Sequence, residues 1–316
     1  MPSNAEPLNL RHPFPPEEYA ARRARVYDRL GAGAKALLQG AGPVRGFQAF
    51  RQTNDFHYLC GVELPQCCLL LDADSRAATL FLPPRDPHAS SEGDVLGAED
   101  AAALVAETGL DAVHDSSALA DHLREAARLY TPFASAEGSQ GSRDVLLHAD
   151  KKVAADPWDG RPSREEWLRG LLAQRLPGLE LADLSPVLDE LRSVKSPREV
   201  ALCRRAGELS AQAVLESMKA TRPGLREYHL GAIADFVFAA GGARGQGYRP
   251  IIPSGANIWY SHYFRNDAEL REGDLILMDC APDLCNYTSD IGRMWPVSGS
   301  YSPQQRELYG FMVRYH

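Results

Sequence analysis

Two aspartates flank a turn-forming segment near the end of the chain, and this pattern restricts how the region can fold. The apolar run 275–278, Leu-Ile-Leu-Met, predicts a buried strand, and Asp279 follows it directly. Residues 287–297 are rich in aromatic and β-branched side chains and predict a second strand, which contains Asp290. Residues 282–286 carry the proline, aspartate and asparagine that favour turns. The pattern therefore predicts an antiparallel hairpin with one aspartate on each arm.

The turn of this hairpin is expected at residues 284 and 285, midway between the two aspartates. Asp279 and Asp290 would then lie nearly opposite each other, with their Cβ atoms roughly 5 Å apart. Two carboxylates at that separation repel by roughly 3 kcal/mol at an effective dielectric constant near 20. A shared proton, a basic partner or a divalent cation would offset this repulsion. On the pattern alone, a metal site and a pair of solvated turn residues are equally good interpretations.

Two residues upstream are further candidates for such a site. His262 lies 17 residues before Asp279 and follows the predicted loop 253–257. Tyr248 ends the glycine-flanked segment Gly245-Gln246-Gly247-Tyr248. By residue type alone, a packed or surface role is the commoner one for this histidine, and simple aromatic packing explains the tyrosine. Oxygen ligands suit Mn²⁺ or Mg²⁺, and a site that adds a histidine also suits Zn²⁺ or Co²⁺.

The composition argues against several classes of partner. A net charge of −8 over 316 residues disfavours nucleic acid, which requires a basic face. No apolar run approaches the roughly 20 residues of a transmembrane helix, and residues 1–6 lack the basic and apolar regions of a signal peptide. We therefore expect a cytoplasmic protein. The six cysteines (60, 67, 68, 203, 280 and 285) have neither metal-binding nor disulfide-framework spacing, so free thiols are expected.

The first half of the chain mixes predicted helices and strands. Residues 16–30 have the periodicity of an amphipathic helix. Apolar runs at Ala36–Leu38, Cys67–Leu71 and Ala77–Leu82 predict strands. Residues 98–129 are rich in alanine and predict helix, interrupted near residues 111–117. This mixture is typical of an α/β domain.

The middle of the chain predicts helices. Ser163 with Glu166 has the spacing of a capping box, and Ser185-Pro186 opens a shorter helix. Residues 196–199, Ser-Pro-Arg-Glu, give a stronger start signal, with serine at the N-cap, proline at N1 and glutamate at N3. Another helix is predicted from about Glu227 to Ala240. We assign residues 1–175 to an N-terminal domain and 176–316 to a second domain, in a chain of the α/β (α+β) class.

Four segments together resemble the aminopeptidase P (Xaa-Pro aminopeptidase) branch of the pita-bread metallopeptidases, family M24. Residues 50–61, FRQTNDFHYLCG, are similar to the FRQNSDFYYLTG segment of the N-terminal domain. Residues 195–199 match the K-S-P-x-E opening of the catalytic domain, and residues 222–227 match its R-P-G-x-x-E segment. The stretch 279–297 resembles DAGxxYxxYxSDITRTFPV and keeps the family spacing between the aspartates and from His262.

The resemblance implies a fold and a reaction. The fold would be an N-terminal creatinase/aminopeptidase P-type α/β domain followed by a pita-bread catalytic domain. The reaction would be removal of the N-terminal residue from peptides with proline at the second position, through a metal-bridging hydroxide. Two divalent metal ions are implied, commonly Mn²⁺, with Zn²⁺ or Co²⁺ as alternatives. The implied partners are proline-containing peptides, with no nucleic acid or membrane, and a homo-oligomer that is a dimer or a tetramer.

The resemblance also implies a role for each candidate residue. Asp279 matches the aspartate that binds one metal, and Asp290 the aspartate that bridges both. His262 matches the histidine that helps bind substrate and stabilise the transition state, and is the catalytic candidate. Tyr248 matches a tyrosine that hydrogen-bonds the bridging aspartate. The family's remaining ligands, one histidine and two glutamates, are expected beyond residue 316, so we expect the chain to be truncated and its catalytic domain to be incomplete.

The chain departs from the family pattern within the hairpin, and other functions stay open. Ala281 replaces a usual glycine, Trp295 a usual phenylalanine, and Gly292 a usual threonine, which removes a hydroxyl from beside Asp290. One alternative is a non-catalytic pita-bread module that binds peptides or proteins. Among enzymes, prolidase, which acts on dipeptides, is a near relative.

Overall fold

The computed structural model describes residues 13–86 and 96–316. The chain divides into two compact units, Met1–Val194 and Lys195–His316, here called the N-terminal unit and the C-terminal unit. Residues 1–6, which argue against a signal peptide, lie outside the described residues. Within the described ranges, no helix combines the length and hydropathy that a bilayer-spanning segment requires.

The N-terminal unit alternates helices and strands. Its helices are α1 (Pro16–Leu30), α2 (Asn54–Cys60), α3 (Ala101–Thr108), α4 (Leu119–Leu123), α5 (Arg143–Ala155), α6 (Arg164–Arg175) and α7 (Ser185–Ser193). Its strands are β1 (Ala34–Gln39), β2 (Cys68–Asp72), β3 (Ala77–Leu82), β4 (Ala112–Asp115), β5 (Arg128–Thr131) and β6 (Glu180–Asp183).

These strands form a mixed sheet in the order β4-β3-β2-β1-β5-β6 within the described residues. β1, β2 and β3 pair antiparallel, whereas the outer pairs β3–β4, β1–β5 and β5–β6 are parallel. Side chains alternate between two apolar clusters, so that Leu38 and Leu69 join one and Leu37 and Leu70 join the other. Both faces of the central strands are therefore buried, which explains their almost uninterrupted apolar runs.

Three short strands are present that the sequence patterns do not predict. β4 falls in the interruption expected near residues 111–117, β5 begins at the end of the predicted helical stretch 98–129, and β6 lies between the helix predicted after Ser163 and the one predicted from Ser185. Each of these strands is four residues long and is stabilised by parallel pairing with a strand distant in the sequence. The local composition carries little information about such pairing, which is why the sequence patterns do not predict these strands.

The boundary between the units also lies later than residue 175. β6 pairs with β5, and α7 contributes Leu188 and Leu191 to the apolar cluster that contains Val26 of α1. Both elements therefore belong to the N-terminal unit, which extends to Val194.

The FRQTNDFHYLCG segment has a structural role in this unit. Gln52 is fully buried, and its carboxamide oxygen accepts hydrogen bonds from the backbone N–H groups of Ala41 (2.6 Å) and Thr53 (3.0 Å). Its amide nitrogen donates to the carbonyls of Val62 (3.2 Å) and Leu64 (3.1 Å). One side chain thus satisfies buried backbone groups from several loop segments.

The end of α2 is held by two buried arginines of α1. Arg22 donates to the carbonyl of Tyr58 and Arg23 to the carbonyl of Leu59, both at 3.0 Å. The guanidinium of Arg22 also stacks against the rings of Phe14 and Tyr58, 4.4 and 4.3 Å from their centroids. The last carbonyls of a helix have no partner within it, so these arginines satisfy them while packing against aromatic rings.

The C-terminal unit contains α8 (Pro197–Ala220), α9 (Glu227–Ala240) and α10 (Pro303–Tyr315), with β7 (Leu275–Cys280) and β8 (Ile291–Pro296). α8 and α9 pack on β7 and β8 through an apolar cluster that includes Leu209, Phe238 and Ile276. The capping box predicted at Ser196 and Glu199 is present, with Glu199 N–H donating to Ser196 Oγ at 3.2 Å. The mixed α/β class is therefore confirmed in both units.

The hydrogen bonds of Gln52 lead to a stability prediction. Gln52→Leu keeps a similar side-chain volume but leaves the N–H groups of Ala41 and Thr53 and the carbonyl of Val62 without this partner. We expect the free energy of unfolding to fall by about 2–4 kcal/mol, because each unsatisfied buried polar group costs about 1–3 kcal/mol. Urea denaturation measures the change. Gln174→Leu, at an exposed position of α6, is the control and should change stability by less than about 0.5 kcal/mol.

Candidate metal centre

The predicted hairpin is present, but its register differs from the prediction. Asp279 pairs with Gly292 and Cys280 with Ile291. The chain reverses between Leu284 and Tyr287, which exchange backbone hydrogen bonds of 2.9 and 3.0 Å. The two residues between them, Cys285 and Asn286, have positive φ angles of 53° and 67°, as in a type I′ turn. The turn is thus centred on residues 285 and 286 instead of 284 and 285.

The register determines how the two aspartates approach each other. Asp290 precedes β8 and lies two positions before Gly292, the direct partner of Asp279. Residues two apart point to the same face of a sheet, so the two carboxylates are diagonal neighbours instead of direct partners. Their expected separation in this arrangement is larger than the roughly 5 Å of a directly opposed pair. A Cβ atom added at Gly292 would lie 3.9 Å from Asp279 Cβ, an ordinary contact.

Tyr248 connects the two aspartates. Its hydroxyl donates a short hydrogen bond to Asp279 Oδ1 and lies 3.5 Å from Asp290 Oδ1. The resemblance implies a bond to Asp290, whereas here the shorter bond is made to Asp279. The three residues that the sequence singled out on these two segments therefore do come together.

A backbone segment on the other edge of β7 positions Tyr248. Asp279 and Ile251 exchange backbone hydrogen bonds of 2.9 and 3.0 Å, and Gly247 N–H donates to the carbonyl of Ala281 at 2.7 Å. A Cβ atom at Gly247 would lie 2.5 Å from Thr288 Oγ1 and 3.0 Å from the carbonyl oxygen of Pro282. Only glycine allows this close approach, so Gly247 permits the neighbouring tyrosine to reach the hairpin.

The electrostatics of the site follow from burial and like charge. Partial burial raises the pKa of Asp279, and the charge of Asp290 raises it further, while the Tyr248 hydrogen bond and the charge of His262 oppose the rise. Burial and the two aspartates raise the pKa of Tyr248. The tyrosine is therefore a protonated hydrogen-bond donor at neutral pH. Such a paired, partly buried carboxylate site favours a proton or a cation.

His262 has a different set of contacts from the tyrosine and the carboxylates. It is exposed, stacks on Phe264 with ring centroids 5.9 Å apart, and lines a cavity of about 660 Å³. Arg249, Tyr260 and Phe264 also line this cavity, but neither aspartate does. The charge of His262 nevertheless lowers the pKa of Asp279.

Two buried glutamates support the site, although the sequence did not single them out as site residues. Glu199 accepts a hydrogen bond from the hydroxyl of Tyr287, at the end of the hairpin turn, at 2.8 Å. Glu227 accepts hydrogen bonds from the segment that carries His262. Both glutamates belong to the motifs that resemble K-S-P-x-E and R-P-G-x-x-E. Glu199 is 3% exposed and Glu227 is 0% exposed. This burial indicates their structural role, but it is visible only in the folded protein, so the sequence alone could not reveal it.

The described residues contain a carboxylate pair but no complete set of metal ligands. Across residues 13–86 and 96–316, no group of three or more histidine, cysteine, aspartate or glutamate side chains is arranged to hold a metal ion. The pair Asp279 and Asp290 offers two carboxylates on one face of the hairpin. Carboxylates are suitable donors for divalent ions such as Mn²⁺, so the pair fits part of a ligand set.

Comparison with known proteins relates both units to aminopeptidase P. Residues 201–316 match the model of metallopeptidase family M24, and residues 19–133 match that of the aminopeptidase P N-terminal domain. The chain is similar to the Xaa-Pro aminopeptidase of Escherichia coli, with 31% identity over 305 residues, and to that of Haemophilus influenzae, with 29% identity over 309 residues. The predicted resemblance is confirmed in both units.

Solved structures agree with this assignment. Aminopeptidase P from E. coli with the inhibitor Pro-Leu superposes with a TM-score of 0.75 at 29% identity, over 95% of this chain. Aminopeptidase PepP of Pseudomonas aeruginosa gives the same TM-score and identity. The chain spans 66% of the E. coli relative's length and 65% of the H. influenzae relative's length.

The raised pKa of Asp279 gives a pH-dependent prediction for the metal-free protein. A carboxyl whose pKa is higher in the folded than in the unfolded state binds more protons when folded. Folding stability should therefore fall as the pH rises through the interval between the ordinary pKa of 3.8 and the raised value. Asp279→Asn removes this loss, so we expect a higher Tm than wild type at pH 7 in EDTA.

Thermal unfolding in EDTA at pH 3 to 8 measures this effect. The difference in Tm between Asp279→Asn and wild type should shrink toward low pH, where the wild-type carboxyl is protonated in both states. Asp274→Asn, also beside β7, is the control and should not reproduce the pH trend. An Asp279→Asn variant that is less stable than wild type at pH 7 would contradict the electrostatic account.

Proposed function

We propose that this protein is a metallo-aminopeptidase that releases the N-terminal residue from peptides with proline in the second position. The observation that carries the proposal is the pair of aspartates connected by Tyr248 within a family M24 domain. It is supported by 31% identity to a Xaa-Pro aminopeptidase over 305 residues that include both units. An aminopeptidase P-type N-terminal domain favours this activity over others found on the same catalytic fold.

We further propose that Asp279 and Asp290 are two ligands of a site for two divalent ions. Their proximity and the raised pKa of Asp279 indicate a site that a cation would stabilise. Mn²⁺ is the proposed metal, with Zn²⁺ or Co²⁺ as alternatives, and one similar solved structure is a zinc-substituted E. coli aminopeptidase P. In a chain of the relatives' length, a histidine and two glutamates beyond residue 316 would complete the ligand set. Divalent ions bound there would lower the pKa of water and polarise the scissile carbonyl.

The residues of this chain would contribute orientation and binding. The Tyr248 hydroxyl, protonated at neutral pH, would fix the orientation of the aspartates, and such partners orient metal ligands generally. His262 would contact the substrate close to the scissile bond from the wall of the cavity. The aromatic rings of Tyr260 and Phe264 in the same cavity give an apolar surface on which a proline ring could pack.

A non-catalytic peptide-binding module and a prolidase are the competing functions. Both would have the same fold as an aminopeptidase, so only a test with substrates can distinguish the three functions. The proposed partners are proline-containing peptides, with a homo-oligomer, dimer or tetramer, as the assembly. A cytoplasmic location stays a prediction.

The activity assay uses protein expressed from the whole reading frame, with Mn²⁺. We expect release of the first residue from a Xaa-Pro-Xaa tripeptide, with slower or no cleavage of a Xaa-Pro dipeptide. Preference for the dipeptide would indicate a prolidase. Failure to cleave either peptide, with Mn²⁺ shown to be bound, would contradict the enzyme proposal and favour a binding module.

A second prediction concerns metal affinity. Tyr248→Phe removes the hydroxyl between the aspartates, and loss of such an orienting partner typically weakens metal binding by about 10- to 100-fold. Isothermal titration of the same whole-frame protein with Mn²⁺ measures the change. Tyr228→Phe, at an exposed position on α9, is the matched control and should bind Mn²⁺ as wild type does. If Tyr248→Phe and wild type bound Mn²⁺ with equal affinity, the tyrosine hydroxyl would make no contribution to metal binding.

A further inference from the structure

Glu227 is a buried carboxylate that the proposed reaction does not use. It is the first residue of α9, and its side chain is fully buried. A buried carboxylate is strongly unfavourable unless hydrogen bonds or charges compensate it. Its position at a helix N-terminus contributes some stabilisation through the helix dipole. The remainder must come from the groups that donate hydrogen bonds to it.

Those donors lie at the two ends of residues 254–268, here called the His262 segment. Oε1 of Glu227 accepts hydrogen bonds from the N–H and the hydroxyl of Ser254, both at 2.7 Å, and from Asn257 Nδ2 at 3.3 Å. Oε2 accepts from the backbone N–H of Ala268 at 3.0 Å. The backbone N–H of Glu227 in turn donates to the carbonyl of Ala268 at 3.0 Å. One side chain thus joins the beginning and the end of the segment.

The interior of the segment is connected to the same carboxylate through Tyr263. Asn257 Nδ2 donates to the hydroxyl of Tyr263 at 3.1 Å. Burial and the Glu227 carboxylate raise the pKa of Tyr263 to about 12, so its hydroxyl stays protonated. Tyr263 is 8% exposed, whereas the adjacent His262 is exposed. Fixing the buried ring of Tyr263 therefore restrains the backbone from which the exposed His262 side chain extends.

Other contacts of the segment are made mainly through side chains. Arg249 donates to the carbonyl of Phe264 at 2.7 Å, and Arg226 donates to that of Asp267 at 2.8 Å. Asn266 donates to the carbonyl of Pro250 at 2.8 Å. The segment's regular structure is the short 3₁₀ helix Gly255–Trp259, so the conformation of the remainder depends on these individual hydrogen bonds. Glu227 accepts more of them than any of these side chains donates.

We propose that Glu227 is a positioning residue that fixes the His262 segment and thereby places His262 at the cavity. The importance of that placement for catalysis rests on the proposed function, but the placement itself does not. A carboxylate is required because two oxygens accept from two separate parts of the segment. A glutamine offers only one acceptor oxygen and would direct an N–H₂ group toward one set of donors.

Hydrogen exchange measured by mass spectrometry tests the placement on the chain as it is, without metal. In Glu227→Gln, amides of residues 254–268 should exchange at least about tenfold faster, because charge-assisted hydrogen bonds to the segment are lost. Amides of residues 275–296 should keep their protection. Glu208→Gln, an exposed glutamate on α8, is the matched control and should exchange as wild type does in both regions.

The His262 ring provides a second measurement. Its Cε1–H resonance, assigned by its loss in His262→Gln, should shift in Glu227→Gln and stay unchanged in Glu208→Gln. Unaltered exchange and an unaltered resonance in a folded Glu227→Gln protein would overturn the proposal. Faster exchange spread equally over residues 197–240 and 275–296 would also overturn it, because Glu227 would then be a general core residue.

A milder variant covers the case in which Glu227→Gln does not fold. Ser254→Ala removes one donor and keeps the carboxylate, and it should give a smaller increase in exchange confined to residues 254–268. No local increase in Ser254→Ala would count against the proposal. None of these measurements depends on activity. A failure of the proposed function would appear in the peptidase assay, whereas a failure of the positioning role would appear in the exchange and the resonance.

Discussion

The double pairing of β7 is the constraint on which the candidate site depends. On one edge β7 pairs with β8, and on the other its backbone bonds to residues around Ile251. The first pairing brings Asp290 to the same face as Asp279, and the second brings Tyr248 against both. Neither set of bonds alone would assemble the three side chains. Ile276 and Met278 of β7 also pack in the apolar cluster with α8 and α9, which fixes the strand on the helices.

Two buried carboxylates have the same structural role in the C-terminal unit. Glu199 and Glu227 begin or nearly begin a helix, and each accepts hydrogen bonds from a segment that carries candidate site residues. Their motifs are therefore structural determinants of the site, although neither side chain is placed to react. A short motif can identify a family of enzymes through residues that only hold its site in place.

Several features of the C-terminal unit could be predicted from the sequence because they depend on residues close together in the chain. The capping box at Ser196, the apolar strand before Asp279 and the hairpin itself all follow from residue type and spacing. The hairpin register could not be predicted, since it depends on Cys285 and Asn286 adopting positive φ angles, and cysteine rarely signals such a turn. The short strands β4, β5 and β6 could not be predicted either, because their pairing partners are distant in sequence. The contacts of Glu227 belong to the same long-range class.

The short turn at Cys285 and Asn286 has a consequence for how the site forms during folding. A hairpin closed by two residues has low contact order, and hairpins of this kind form within about 1–10 µs. The two aspartates can therefore meet through local contacts alone. Glu227, in contrast, reaches Ser254 and Ala268 across 27 and 41 residues, so the position of His262 depends on slower, non-local closure. The contacts that bring the two carboxylates together are thus local in sequence, whereas those that hold the His262 segment are long-range.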